Sequence, residues 1–296
     1  MAPRSGVALQ RPLALVLSGG GAQGAAQAGA AVELLRCGIL PDIVIGTSVG
    51  AWNGAWLARD SDPRHTEGLV ELWLRPEVAR LFRGVVRGLL WGLARRRIAA
   101  LGDAHLRRLL AEHIGDVQFT DLAVPLAVGA VDLLSGELIY LDAGPVAGAV
   151  HAASAIPAVL PPVRMGSRML VDAGFVDNFG VAEAIRRGAR SMIVLDASVG
   201  LLEGAPRCIP TVLERANLVT RIHQRRSARA LAHAHGVALE IIELAGRGAV
   251  LDFAGSAAGV EYGRQCARAW LATAGTSAIV KTPRLDAGRP AQRFAR

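Results

Sequence analysis

The chain has 296 residues, enough to bury a sizeable core in one large α/β domain or two small ones. Hydrophobic residues make up 52% and aromatics only 4%, so the core must be mostly Ala, Val and Leu. The formal charge of +8 is almost wholly arginine, with Lys281 the only lysine; no nucleic-acid motif or interleaved aromatic accompanies it, which excludes nucleic acid as the expected partner and leaves a basic surface suited to anions such as phospholipid headgroups.

Cys37, Cys208 and Cys266 are odd in number, widely spaced and without a CxxC pair. That pattern argues for a reducing compartment and against a disulfide framework or a zinc site. Arg4 and Arg11 precede the apolar run Leu13–Leu17, yet the run is too short for a signal peptide and stops at Ser18-Gly19-Gly20-Gly21. Residues 13–32 are uncharged but too rich in Gly and Gln for a membrane span. The expected location is cytoplasmic, with peripheral membrane contact left open.

Leu13–Leu17 reads as a central parallel strand buried on both faces, followed by a glycine loop. Residues 22–36 are rich in helix formers and end before Gly38, a C-terminal helix signal. A second strand, Ile43–Ile45, runs into Gly46-Thr47-Ser48-Val49-Gly50 and an alanine-rich helix, so the opening is a βαβα unit and implies a parallel sheet. Thr66 to Ile114 is helical in pattern, broken at Pro76, with Asp103 as the expected N-cap of a helix over 105–114. Within it, Val78, Leu81, Phe82, Val85, Leu89, Leu90 and Leu93 recur at helical spacing beside Arg80, Arg83, Arg87, Arg95, Arg96 and Arg97. Such a basic amphipathic helix over 77–101 either packs on the body as a cap or lies on a membrane interface, and a cap over a lipid site can do both.

Residues 125–134 and 137–141 form an expected antiparallel hairpin around Ser135-Gly136. A short helix over 146–155 precedes an irregular connection set by Pro157, Pro161 and Pro162. Strands over 168–171, 191–195 and 237–244 alternate with helices over 181–188, 211–235 and 257–274. No repeat, low-complexity linker or domain boundary is evident. The expected organisation is one domain over 1–296, with a core of about 13–275, a helical cap of about 64–115 and a mobile tail over 276–296.

The Gly46-x-Ser48-x-Gly50 pattern is that of a nucleophile elbow: a strand turns abruptly into a helix, the glycines remove clashing Cβ atoms, and the serine is exposed at the helix N-terminus, where N–H groups favour negative charge. GxSxG also arises by chance in a chain this rich in Gly and Ser, so its neighbours decide. Gly19-Gly20-Gly21-Ala22-Gln23-Gly24 follows the adjacent strand at the same sheet edge and offers convergent N–H groups for an oxyanion. Asp172, at the end of a strand, also emerges at a sheet edge; a carboxylate becomes a useful base only where burial raises its pKa.

These residues carry a resemblance. Gly-Gly-Gly-Ala-Gln-Gly at 19–24, Gly-Thr-Ser-Val-Gly at 46–50, Ser154-Ala155-Ile156-Pro157 before a double proline, and Asp172-Ala173-Gly174 before Asp177-Asn178 are together similar to the patatin-like phospholipase family, in the family's order over roughly 13–275. The resemblance implies an α/β three-layer sandwich with a mostly parallel central sheet flanked by helices. It implies a serine acylhydrolase acting on lipid or carboxylic esters through an acyl-enzyme, with no metal or cofactor: Ser48 as nucleophile, Asp172 as base without a histidine, and Gly19, Gly20, Gly21 and Val49 as the oxyanion hole. Two positions depart from the family pattern. Gln23 stands where Arg or Lys is usual, removing a positive charge from the loop, and Ala173 replaces the commoner glycine.

Rival readings are weighed on residues. A triad would need a histidine after the acid, and His223, His233 and His235 are available, but they fall in the long Arg-rich helix on an expected solvated face. Gly19, Gly21 and Gly24 satisfy GxGxxG, yet the second strand ends in Gly46-Thr47-Ser48 without the acid a ribose needs. An acyltransferase using the same nucleophile and a catalytically silent lipid-binding scaffold remain as alternatives.

Overall fold

The computed structural model describes residues 9–60, 62–198, 204–244 and 253–274. The tail expected over 276–296, Arg4 and the Leu93 side chain lie outside that description. Eight strands form one sheet: β1 (Leu13–Leu17), β2 (Ile43–Thr47), β3 (Leu126–Asp132), β4 (Leu138–Leu141), β5 (Val163–Met165), β6 (Arg168–Asp172), β7 (Ser191–Asp196) and β8 (Ala238–Glu243). β3, β2, β1, β7 and β8 are parallel neighbours in that order, while β4 and β6 run antiparallel to β3 and β5 extends β6. The helices are α1 (Gly24–Arg36), α2 (Val49–Arg59), α3 (Pro63–Trp73), α4 (Pro76–Ala79), α5 (Val85–Ala94), α6 (Ala104–His113), α7 (Val146–Ala153), α8 (Val181–Arg186), α9 (Ile209–Ala234) and α10 (Ser256–Ala274).

Why β1 is apolar at every position is plain from the layers. Leu13, Leu15 and Leu17 pack into a core with Ala25, Ala28, Trp52, Leu57 and Leu69, which belongs to α1, α2 and α3. Ala14 and Val16 pack on the other face with Phe179, with Val181 and Ala184 of α8, and with Ala228 and Ala232 of α9. Helices therefore cover both faces of a mostly parallel sheet, and a strand in that position has no polar side to show. The small residues of α1 let it pack closely on α10, with Gly29 against Val260.

Most expected elements stand within a residue or two of their observed ends, the usual uncertainty of helix and strand boundaries. Four differ for physical reasons. The amphipathic segment 77–101 is not one helix: α4 stops at Ala79, the chain turns through Gly84 at φ +80°, and α5 starts at Val85. Its inner residues Val78 and Leu81 are buried, whereas Val86, Leu90, Trp91 and Ile98 are exposed. Asp103 sits at the N-cap of α6 but makes no side-chain cap bond; it pairs instead with His151, 3.1 Å away. The connection after the double proline contains β5, which hairpins with β6 around Gly166 and was hidden by its three-residue length. The helix expected from residue 22 begins as a 3-10 turn over Gly21–Gln23, so the glycine loop is tighter than a simple helix start.

One feature of the register positions the site. β2 pairs with β3 up to Thr47 opposite Gly129, and β6 pairs from Asp172 opposite Ala130. β4 occupies the other edge of β3 along Val128–Val131. β2 and β6 consequently share one edge of β3, end to end. Where β2 leaves the sheet at Ser48, Asp172 takes the next place in the ladder.

Candidate active site

Ser48 lies between β2 and α2 with φ 56° and ψ −128°, a region that L-residues occupy at a cost of about 1–3 kcal/mol. The cost is met by packing around it. A Cβ on Gly50 would sit 2.0 Å from the Leu17 carbonyl oxygen, and one on Gly46 would sit 2.6 Å from the Ala51 Cα. Both glycines of the elbow are thus required by close backbone approach, and the hydroxyl is held at a fixed point beyond the sheet edge.

The Ser48 hydroxyl faces the Asp172 carboxylate closely enough to favour its ionised form. Asp172 is buried, caps the short turn Ala173–Phe175 and accepts the Gly174 N–H at 2.8 Å through Oδ1. Burial raises its pKa above the usual carboxylate value, and the Ser48 hydroxyl, the Gly174 N–H and the charge of Arg221 offset part of that rise.

The glycine loop faces this pair. Gly19 is gripped by Asn178: its N–H donates to Oδ1 at 2.9 Å, and its carbonyl accepts from Nδ2 at 3.1 Å. The Arg221 guanidinium donates to the same carbonyl at 3.0 Å. The Gly19 N–H expected in the oxyanion hole is therefore already committed, because Asn178 is shaped to satisfy both polar groups of that residue at once. Gly21 and Val49 open the first turns of their helices, where N–H groups have no intrahelical partner, and Gly20 precedes Gly21. Behind the loop runs a buried polar chain: Trp73 Nε1 donates to Asn53 Oδ1, Asn53 Nδ2 to Gln27 Oε1, and Gln27 Nε2 to the Ser18 and Leu195 carbonyls. Every link is between 2.9 and 3.0 Å, which fixes the path of the loop from beneath.

An apolar pocket opens on Ser48, lined by Trp52, Leu81, Phe82, Leu106, Ile156 and Phe253, with Gly21, Val49 and Ser154 at its polar end. Its cavity volume is about 30 Å³, so the walls stand close together. Phe253 stacks between Trp73 and Phe82, at 5.9 and 5.3 Å, and makes one wall rigid.

No hydrogen bond among the described residues joins His223, His233 or His235 to Ser48 or Asp172; His235 bonds the Leu231 carbonyl in its own helix. Gln23 is buried in the first turn of the loop. The residue that sequence reading missed is Arg221, taken there as part of a solvated basic face. A signal was available, because Leu218, Arg221, Arg225, Ala228 and Ala232 recur at helical spacing and Leu218, Ala228 and Ala232 are buried.

The class that this fold and site define is an α/β sandwich with a serine at a nucleophile elbow, facing a carboxylate in place of the usual imidazole. The chain belongs to the patatin-like phospholipase family, whose model matches residues 15–185, more than half of its length. Among curated proteins it is 31% identical over 190 residues to the lysophospholipase nte1 of Aspergillus terreus, covering 63% of this chain and 12% of that protein. It is 27% identical over 186 residues to patatin-like phospholipase domain-containing protein 7 of Mus musculus, covering 62% and 13%. The chain thus spans about an eighth of the curated relatives it matches. The crystal structure of VipD from Legionella pneumophila is similar with a TM-score of 0.47 at 14% identity, covering 91% of this chain and 70% of that one.

Proposed function

We propose that this chain is a serine acylhydrolase that cleaves lipid or carboxylic esters through Ser48 and Asp172. The observation that carries the reading is the strained Ser48, at the elbow after β2, facing a buried carboxylate whose pKa is raised. In the forward step Ser48 Oγ attacks the ester carbonyl and Asp172 takes its proton. The oxyanion forms against the N–H groups of Gly20, Gly21 and Val49, and the proton on Asp172 passes to the departing alkoxide. Water, deprotonated by Asp172, then releases the acid from the acyl-enzyme. The apolar lining of the pocket matches the chemistry of an acyl chain, and its walls must part to admit one. A fluorophosphonate probe is expected to label the chain once, on Ser48, identified by peptide mapping; labelling elsewhere or none would leave a silent lipid-binding scaffold.

The finer part of the reading concerns where that ester is met. No described helix is long and apolar enough to cross a membrane. The outer face of the cap instead shows Val86, Leu90, Trp91 and Ile98, 55–76% exposed. Arg80, Arg83, Arg87, Arg95, Arg96 and Arg97 of the same segment are exposed as well, with Arg95 4.4 Å from the Trp91 ring centre. Exposed apolar groups interleaved with cations fit an anionic lipid surface, and Leu81 and Phe82 of the same segment line the pocket over Ser48. The chain is expected to bind vesicles containing phosphatidylglycerol, with binding that weakens as salt rises. Trp91→Ala combined with Leu90→Ala should reduce that binding by at least about a hundredfold, on the scale of losing two buried apolar side chains, while leaving the hydrolysis of a soluble ester unchanged. Salt-independent binding, or none, would make the segment a plain cap.

A further inference from the structure

The glycine loop, residues 19–24, contains no cation of its own. One reaches it from the far end of the chain. Arg221, on α9 and outside the residues that the family model matches, donates from Nη1 to the Gly19 carbonyl at 3.0 Å. Its other Nη lies 3.7 Å from where a Cβ on Gly174 would stand, so the guanidinium spans the gap between the loop and the turn that Asp172 caps. Asp172 and Asp196 are the acids that face it. Asp196 is already held by Arg225 at 2.5 Å, so neutralising Asp196 does not require Arg221.

The consequence lies in the Gly19–Gly20 peptide. A trans peptide sets its C=O and N–H on opposite sides, so fixing the Gly19 oxygen fixes the direction of the Gly20 N–H. Asn178 and Arg221 both donate to that oxygen. Two donors, one of them charged, polarise the peptide and make its N–H a stronger donor. We propose that Arg221 is a positioning residue for acyl transfer at Ser48: through the Gly19 carbonyl it aims and strengthens the Gly20 N–H for the oxyanion. This rests on the reading of Ser48 and Asp172 as nucleophile and base.

The sign of the pH effect follows from the groups that face Asp172: the Ser48 hydroxyl, the Gly174 N–H and Arg221. Removing the guanidinium removes an attraction for the carboxylate, so the base is lost at a higher pH and the acid limb of the rate profile moves up. Burial works on Arg221 in the opposite sense, lowering its own pKa from a very high value, so it stays charged through the working range.

The test uses the full chain with p-nitrophenyl butyrate, with active sites counted by fluorophosphonate. Arg221→Met is expected to lower kcat per labelled site by at least about tenfold, less than the loss of a direct oxyanion donor, with KM changed less than about twofold. The acid limb of kcat/KM should rise by about one pH unit. Arg221→Lys, which keeps the charge, should hold the limb at its original pH and recover part of kcat. An unchanged kcat and an unmoved limb in Arg221→Met overturn the proposal, as does a loss explained wholly by fewer labelled sites. Should Arg221→Met fail to fold, Arg221→Lys decides, and a limb that rises although the charge is kept overturns it. Ser48→Ala is run in parallel: if it stays active the dyad reading itself falls, whereas an inactive Ser48→Ala beside an unaffected Arg221→Met removes the Arg221 proposal alone.

Discussion

Ser48→Ala is expected to abolish ester hydrolysis, by roughly a millionfold in kcat, the scale on which the loss of a serine nucleophile is felt, with the fold retained. Ser154 also lines the pocket, but its hydroxyl donates to the Val150 carbonyl, whereas Ser48 occupies the turn after β2. Ser48→Gly should be equally inactive but differently stable. Both variants lose the hydroxyl that faces Asp172, so their difference reports on the backbone. Glycine adopts φ 56°, ψ −128° without the penalty that a Cβ carries, and Ser48→Gly should be more stable than Ser48→Ala by about 1–3 kcal/mol. Chemical denaturation of the two variants measures it. Equal stability would mean that the elbow stores no strain, and residual hydrolysis above about one thousandth of the original rate would remove Ser48 from the mechanism.

Asp172→Asn tests the base. The amide keeps the shape and can still face Ser48 and Gly174, but it cannot take a proton, and kcat should fall by about a hundredfold to ten-thousandfold. The original chain should show an acid limb in kcat/KM above the usual carboxylate pKa of about 4, because burial raises that of Asp172. The same shift has a stability signature. A carboxyl whose pKa is higher in the folded state binds its proton more tightly there, so stability falls as pH rises from the unfolded value to the folded one. Asp172→Asn lacks that loss. Melting temperatures of the two proteins should therefore diverge across this window in favour of the variant, and a difference that stays flat with pH would mean that Asp172 is not perturbed. A variant that hydrolyses at the original rate would return the base to another residue, with His223, His233 and His235 the first to be replaced.

The elbow and the glycine loop were legible because their constraints are local. A buried apolar run that stops at glycines, and a serine flanked by glycines two positions away on either side, encode a strand, a turn and a helix start without reference to the rest of the chain. The parallel core was legible for the same reason, since β1 and β2 are joined by a helix of ordinary length. The cap was less so. Its apolar and arginine spacing is helical throughout, but Gly84 at positive φ divides it, and periodicity carries no warning of a single residue's backbone turn.

What the sequence determined by itself was therefore the family, the serine with its elbow, and the sheet class, all set by short-range pattern. The pairing of Ser48 with Asp172 was decided by the tertiary structure, because it depends on β6 entering the edge of β3 at Ala130, one place beyond where β2 departs at Gly129. So was the state of the glycine loop. Asn178 and Arg221, 159 and 202 residues away from Gly19, take up its N–H and its carbonyl, and no local pattern connects positions so distant in the chain. The cation that reaches the loop, at the Gly19 carbonyl, comes from a helix that, read alone, looked like a solvated basic face. A hydrogen bond is specific in three dimensions, whereas a motif is specific in one.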